Sequence, residues 1–128
     1  MKFRTPALAF VATLPVLLAG CGGNETKEMS FKADVQPILE NHCYKCHTND
    51  GPGQKISGLN MGSYESLMKG TKYGSVIKEG DSFTSAMVML LEGRADPRLK
   101  MPHGNEEPLS QAQIDTIKAW IDQGAKNN

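Results

Sequence analysis

The stretch FKADVQPILENHCYKCH, residues 31–47, carries apolar side chains at the spacing of one helix face. The positions that follow the i, i+3, i+4, i+7 pattern are Val35, Ile38, Leu39, His42 and Cys43. Asp34 is a suitable N-cap, and Pro37 then falls in the first turn, where its missing N–H does no harm. We therefore predict a helix that begins near Asp34 and ends at the cysteine-rich motif.

Two stretches in the middle of the chain also predict helices. SYESLMKG, residues 63–70, begins with Ser63 as cap and ends at Gly70. DSFTSAMVMLLEG, residues 81–93, begins with Asp81 as cap and has a dense apolar body. The stretch TNDGPGQKISG, which follows the first helix, is rich in turn formers and predicts a loop.

The last helix has the clearest signal. In LSQAQIDTIKAWIDQGA, residues 109–125, Ser110 and Gln113 form a capping box, and Gly124 ends the helix. Its apolar stripe consists of Ile114, Ile117, Trp120 and Ile121. The first and last helices each need a partner for their apolar stripes, so we predict an all-α fold in which these two helices pack against each other.

The N-terminus predicts export. Lys2 and Arg4 precede an apolar run that is too short to span a bilayer of roughly 30 Å. The run ends in LAGC, residues 18–21, which resembles the bacterial lipobox, where cleavage falls before a cysteine that then receives lipid. We predict a lipoprotein signal peptide over residues 1–20, lipid on Cys21, a flexible tether over 21–30 and one domain over 31–128. The alternative is an ordinary signal peptide. Both place the mature chain on the periplasmic or cell-surface side.

Charge excludes one class of partner. Without residues 1–20, 12 basic side chains face 14 acidic ones, so the net charge is about −2. A strongly basic surface of the kind that binds nucleic acid is therefore not expected.

Two of the three cysteines lie in CYKCH, residues 43–47, which matches the C-x-x-C-H sequence for covalent haem attachment. Positions three apart share a helix face, so the sulfurs of Cys43 and Cys46 can bond the two vinyl groups along one porphyrin edge. His47 then supplies the proximal iron ligand. The motif predicts one covalently bound haem c per chain.

Three other chemistries compete with haem at this motif. A thioredoxin-like redox pair needs a βαβ setting, and no hydrophobic strand run precedes Cys43. A zinc site needs about four ligands, and the adjacent Cys46 and His47 fit tetrahedral ligation poorly even with His103 as the fourth. A structural disulfide leaves His47 unexplained. His42 lies on another helical azimuth and is interpreted as a partly exposed helix residue.

The distal iron ligand is predicted from the polar segment RADPRLKMPHGNEEPLS, residues 94–110. No apolar periodicity explains Met101 there, and Pro102 biases it toward an extended conformation, so Met101 is the predicted ligand. Met61 and His103 are the alternatives; a thioether raises the haem potential, whereas a second imidazole leaves it lower. The other internal methionines are expected in helices or in the tether: Met29, Met68, Met87 and Met89.

CYKCH, KMP and LSQAQIDTIKAWIDQGA together resemble a single-haem class I cytochrome c domain. With GLNMGSYESLMKG, SVIKEGD and RLKMPHG between them, they resemble planctomycete-type cytochrome c domains over roughly residues 31–125. The resemblance implies a small cytochrome c-like fold, three to five helices wrapped around one haem. It implies Cys43 and Cys46 as thioether residues and His47 and Met101 as axial ligands. The family often has a second proline where this chain has His103.

These features predict a lipid-anchored one-electron carrier, not an enzyme, because six-coordinate iron leaves no site for a substrate. The expected partners are redox proteins that dock transiently, and a membrane that holds the lipid on Cys21. One alternative is a haem-based ligand binder or peroxidase-like enzyme with a labile sixth ligand, in which His103 acts as distal base. Another is an electron-transfer subunit of a larger exported oxidoreductase. Glu106 and Glu107 are interpreted as a solvated pair.

Overall fold

The computed structural model describes residues 26–128, and this part of the chain contains six α-helices and no β-strand. The all-α prediction is confirmed. The elements in chain order are a π-helical turn (Phe31–Val35), α1 (Gln36–His42), α2 (Tyr44–His47), α3 (Pro52–Ser57), α4 (Tyr64–Lys69), α5 (Ala86–Leu91), a 3-10 turn (Pro97–Leu99) and α6 (Gln111–Asp122). The count exceeds the expected three to five because the first predicted helix is divided at Cys43 into α1 and α2, and because the segment predicted as a loop forms α3.

The first helical segment begins earlier than predicted. Helical turns start at Phe31, and Ser30 is the N-cap, its hydroxyl accepting from the Ala33 N–H at 3.2 Å. The Asp34 carboxylate in return accepts from the Ser30 N–H at 2.9 Å. The assignment of Asp34 as the cap is therefore wrong, because a serine one turn upstream satisfies the free N–H groups and Asp34 supports it.

The helix predicted over residues 82–92 is also shorter than expected. Asp81 accepts from the Thr84 N–H at 3.0 Å and caps a turn, whereas Ser85 is the N-cap of α5. The Ser85 hydroxyl accepts from the Lys78 N–H at 2.9 Å and donates to the Asp81 carbonyl at 2.8 Å. These bonds hold residues 78–85 as a turn, so Asp81 does not begin the helix.

The capping box predicted for α6 is confirmed. The Ser110 hydroxyl accepts from the Gln113 N–H at 3.3 Å, and the Gln113 side chain accepts from the Ser110 N–H at 2.8 Å. The caps predicted for α4 are confirmed as well: Ser63 begins it, and Gly70 ends it with a φ of 81° that favours glycine.

The core lies between α6 and the first helical segment, as predicted for the terminal helices. Trp120 is fully buried, and its ring centroid lies 5.4 Å from that of Phe31. Ile117 and Ile121 of α6 are fully buried, as is Leu39 of α1. Burial of each such side chain stabilises the fold by about 1.5–3 kcal/mol. This core holds the first helical segment and Leu39 of α1, which carries the cysteine motif at its end.

The residues just before the first helical segment are attached to the C-terminal end of the chain. The Met29 N–H donates to Gln123 Oε1 at 2.7 Å, and the Phe31 N–H donates to Asn128 Oδ1 at 2.9 Å. The last residues of the predicted tether therefore rest on the domain. The predicted signal peptide and Cys21 lie outside the described residues. No helix within residues 26–128 has the length and apolar character needed to cross a bilayer.

Candidate functional site

The cysteine motif spans the junction of α1 and α2. Cys43 is the C-cap of α1, and its N–H donates to the Leu39 carbonyl at 2.8 Å. The Cys43 carbonyl accepts from the Cys46 N–H at 3.1 Å and from the His47 N–H at 2.9 Å. One tight helical turn therefore presents Cys43, Cys46 and His47 to the same cavity.

The His47 imidazole is buried, with 8% of the residue exposed. Its Nδ1 lies 3.4 Å from the Leu59 carbonyl oxygen, which can only accept, so the proton is on Nδ1 and the lone pair is on Nε2. Burial lowers the pKa of His47, against the opposing effect of the Leu59 carbonyl, and His103 lowers it further. The imidazole is therefore neutral at pH 7, which is the state that binds a metal.

Two glycines at the start of α3 lie directly against this turn. A Cβ on Gly53 would lie 2.8 Å from both Cε1 and Nε2 of His47, and a Cβ on Gly51 would lie 2.7 Å from the Cys46 carbonyl oxygen. Distances this short are not compatible with a side chain at either position. The glycines allow α3 to lie on the imidazole, a contact that the turn-like pattern of the sequence did not indicate.

We expect Gly53→Ala to displace the His47 imidazole, because the added methyl group must move the ring or push α3 away. The haem-loaded variant should show a partly high-spin ferric spectrum and lose about 1–3 kcal/mol of unfolding free energy, the usual cost of overpacking. The matched control is Gly62→Ala, whose Cβ comes nearest to the Asn60 side chain, at 3.1 Å. Identical spectra for the two variants would contradict the close contact at His47.

The two cysteines are free thiols in the described part of the chain, so the competing disulfide is not formed. Burial raises the pKa of the Cys43 thiol to about 12, and Cys46 adds to the shift. Such a thiol is a poor nucleophile, which argues against a thioredoxin-like pair. Within residues 26–128, no three His, Cys, Asp or Glu side chains converge on a metal-sized site, so a zinc site with His103 has no support.

A cavity of about 290 Å³ adjoins the motif, between α2 and α3 on one side and α5 and residues 101–103 on the other. Its walls are mainly apolar and include Ile56, Leu59, Met61, Val76, Met87 and Leu91. An apolar cavity with a few converging polar groups is typical of a cofactor site.

The predicted distal ligand and its rivals all line this cavity. Met101 is half-buried, and its N–H donates to the Leu90 carbonyl of α5 at 3.1 Å. Met61 is buried, and its N–H donates to the His47 carbonyl at 2.8 Å, so its backbone belongs to the proximal side. His103 is exposed at the rim. Met87, expected only as core filling, also contributes to the cavity wall.

Two further residues at the rim make contacts that the sequence did not indicate, although His42 is the partly exposed helix residue that was expected. His42 is half-buried: its Nδ1 lies 3.3 Å from the Glu107 carbonyl, and its Nε2 lies 3.1 Å from Gln113 Nε2. Glu106 forms an ion pair with Lys45, and this hydrogen bond raises the pKa of the Lys45 ammonium group. Glu106 is exposed, as expected for a solvated residue, but it also pairs with a side chain far away in the sequence, which the sequence did not indicate.

The side chains around this cavity fit a haem. Two unbonded thiols, a neutral imidazole with its lone pair on Nε2 and a thioether line the same apolar space. Thiols of this spacing bond the haem edge, and imidazole and thioether are the axial ligands of cytochromes c.

Comparison with known proteins agrees with this chemistry. A family model described as Planctomycete cytochrome C matches residues 43–104, a range that begins at Cys43 and includes Met101. No curated protein matches the chain. Among solved structures, the chain is similar to Kuenenia stuttgartiensis hydrazine synthase, with 25% sequence identity and a TM-score of 0.51. The similarity covers 76% of this chain but only 16% of the hydrazine synthase chain.

The all-α fold, the CYKCH cavity and these matches support a cytochrome c-type domain. Domains of this type carry covalently bound haem c and have redox roles. Within this class, the sequence similarity is to planctomycete cytochromes c, as the motif order suggested.

Proposed function

We propose that this chain is a one-electron carrier of the cell envelope, with a haem c ligated by His47 and Met101. The observation that carries the proposal is that both side chains line one apolar cavity beside the two free cysteines. When bound, the haem supplies one-electron exchange between ferric and ferrous iron. Cys43 and Cys46 would hold the haem covalently, and ligation by both His47 and Met101 would leave no coordination site for a substrate.

Neighbouring groups hold both axial ligands in place. The Leu59 carbonyl orients the His47 ring through Nδ1, and the Leu90 carbonyl fixes the backbone at Met101. Buried Met61 and Met87 add apolar side chains to the cavity wall, which offer no hydrogen bond to water. A dry site with fixed ligands reorganises little when the iron changes its charge, which favours electron transfer.

Met101 is preferred to Met61 as distal ligand because of where each backbone is attached. A distal ligand would have to come from a part of the chain that is not attached to the proximal ligand His47. The Met61 N–H donates a hydrogen bond to the carbonyl of His47 itself, whereas the Met101 N–H donates to the Leu90 carbonyl in α5. The backbone anchor of Met101 on a separate element therefore favours it.

The N-terminal sequence supports the proposed location at the cell envelope. The basic start, apolar run and LAGC favour export and lipid attachment at Cys21, outside the cytoplasm. The partners are redox proteins that donate and accept one electron at a time in weak, transient complexes.

One observation favours a second function. His103 lines the cavity, is exposed and affects the pKa of His47, so it lies near the same space as the proximal ligand. A labile Met101 would leave His103 as a distal base in a ligand-binding or peroxidase-like site.

The other alternative is a role as an electron-transfer subunit of a larger oxidoreductase. The similarity to hydrazine synthase supports it, because there the similar region is part of a longer chain. Co-purification of this chain with a larger enzyme would test it.

Carbon monoxide binding to the reduced holoprotein distinguishes carrier from ligand binder. With Met101 on the iron, we expect slow, incomplete binding, because the thioether must first leave. Fast stoichiometric binding would contradict the carrier proposal and favour the open site with His103. The measurement is the change of the haem absorption spectrum after rapid mixing.

A further inference from the structure

The segment from Met101 to Leu109, here called the distal segment, covers one side of the cavity with little internal support. Apart from a tight turn at Gly104 and Asn105, residues 102–109 form no backbone-to-backbone hydrogen bond within the described structure. Gly104 has a φ of 69°, a left-handed backbone conformation that favours glycine. The upstream end is held by the bond from the Met101 N–H to the Leu90 carbonyl at 3.1 Å. The downstream end therefore depends on side-chain contacts.

Two contacts join that downstream end to the cysteine motif. The Glu106 carboxylate pairs with the ammonium group of Lys45, which lies between the two motif cysteines. The Glu107 carbonyl accepts from His42 Nδ1 at 3.3 Å, and His42 Nε2 accepts from Gln113 at 3.1 Å. Both partners of the distal segment therefore belong to the α1–α2 junction that presents the proximal ligand.

The ion pair lies at the rim of the cavity. Lys45 and Glu106 line it together with Met101 and His103, and their side chains are 75% and 42% exposed. The pair thus bridges the two walls of the cavity at its solvent side, with one partner from each wall.

We propose that Lys45 and Glu106 form a latch that holds the distal segment closed over the cavity and so keeps Met101 in position. This inference rests on the proposed His47/Met101 ligation. Lys45 and Glu106 are positioning residues that do not touch the iron. Because an exposed ion pair is weak and is screened by salt, the latch sets how often the segment opens rather than whether the domain folds.

The test is the rate at which imidazole replaces Met101 on the ferric holoprotein, since replacement requires opening. We expect Glu106→Gln to raise this rate about two- to fivefold at low salt, the range set by exposed ion pairs. Glu107→Gln is the matched control: it removes the same charge one position away but keeps the carbonyl that His42 contacts. It should leave the rate unchanged.

Salt and charge reversal give two independent readouts. High salt should raise the wild-type rate toward that of Glu106→Gln and leave the variant's rate unchanged. The double variant Lys45→Glu with Glu106→Lys should return the rate toward wild type. Equal rates for Glu106→Gln and Glu107→Gln would overturn the latch. Absence of the far-red methionine band from the wild-type spectrum would instead overturn the ligation, so the two failures are distinct.

Discussion

Replacing both Cys43 and Cys46 by alanine should abolish covalent haem attachment. The two sulfurs are the only groups of CYKCH that can bond the vinyl edge, and both line the cavity as free thiols. Each single variant keeps one possible bond and should retain a reduced amount of haem with an altered band position. The measurement is haem remaining on the chain after denaturation and extraction, followed by mass spectrometry.

The loss should also reduce stability. The cavity of about 290 Å³ is lined by apolar side chains that the haem would cover, and a domain of this size has little core to spare. We therefore expect the double variant to be present at low level and to unfold more readily. Poor folding is separated from failed attachment by the single variants, which keep one bond.

The third cysteine is the matched control. Cys21→Ala removes one thiol from the chain but leaves CYKCH intact, so covalent haem should be unchanged. Under the proposed lipid attachment, the same variant should move from washed membranes to the soluble fraction. Full covalent haem on the Cys43/Cys46 double variant would contradict the motif assignment, and loss of haem from Cys21→Ala would show that cysteine removal in general is harmful.

The side chains that meet at the cavity could be singled out in the sequence because they occur in short motifs. C-x-x-C-H is a local pattern, and Met101 stands out because its proline-broken segment has no apolar face to fill. The contacts that orient these side chains could not be predicted from the sequence. The Leu59 carbonyl lies 12 residues from His47, and Glu106 lies 61 residues from Lys45. Any backbone carbonyl or exposed glutamate has the same appearance in a sequence, so only the fold selects these two.

The sequence around α3 contains a signal for a helix start, but the signals for a turn are stronger. Pro52 at its first position and Gly51 before it are compatible with a helix start, but GPG and the flanking polar residues favour a turn. The helix forms because it packs against α2: its glycines permit a close approach, and the Ser57 hydroxyl donates to the Gly53 carbonyl at 2.6 Å. Tertiary contact thus overrides local propensity.

Helix starts were predicted less well than helix existence. The sequence favours Asp34 and Asp81 as N-caps, whereas the N-caps in the structure are Ser30 and Ser85. In both cases the aspartate accepts hydrogen bonds one turn away from the helix start, as a support for a turn or for another cap. Asp and Ser have similar capping preferences, so local sequence does not choose between two nearby candidates.

Replacing Met101 by alanine should remove the far-red band of methionine-ligated ferric haem. The reduced variant should bind carbon monoxide quickly, because the sixth position is then open or weakly occupied. Its reduction potential should fall by on the order of 100 mV or more, within the roughly 0.8 V range that axial ligands control, since loss of the thioether favours the ferric state. Optical spectra and a redox titration measure these changes.

The controls for this variant distinguish the ligands that compete for the iron. Met89→Ala removes a half-buried methionine of α5 that does not line the cavity. It should leave the far-red absorption band and the reduction potential of the haem unchanged. If the band survives in Met101→Ala and is lost in Met61→Ala, the distal assignment is wrong. If Met101→Ala stays low-spin and becomes high-spin only when His103 is also replaced by alanine, His103 binds the iron once the thioether is gone. That result would explain why a histidine stands two residues after the methionine.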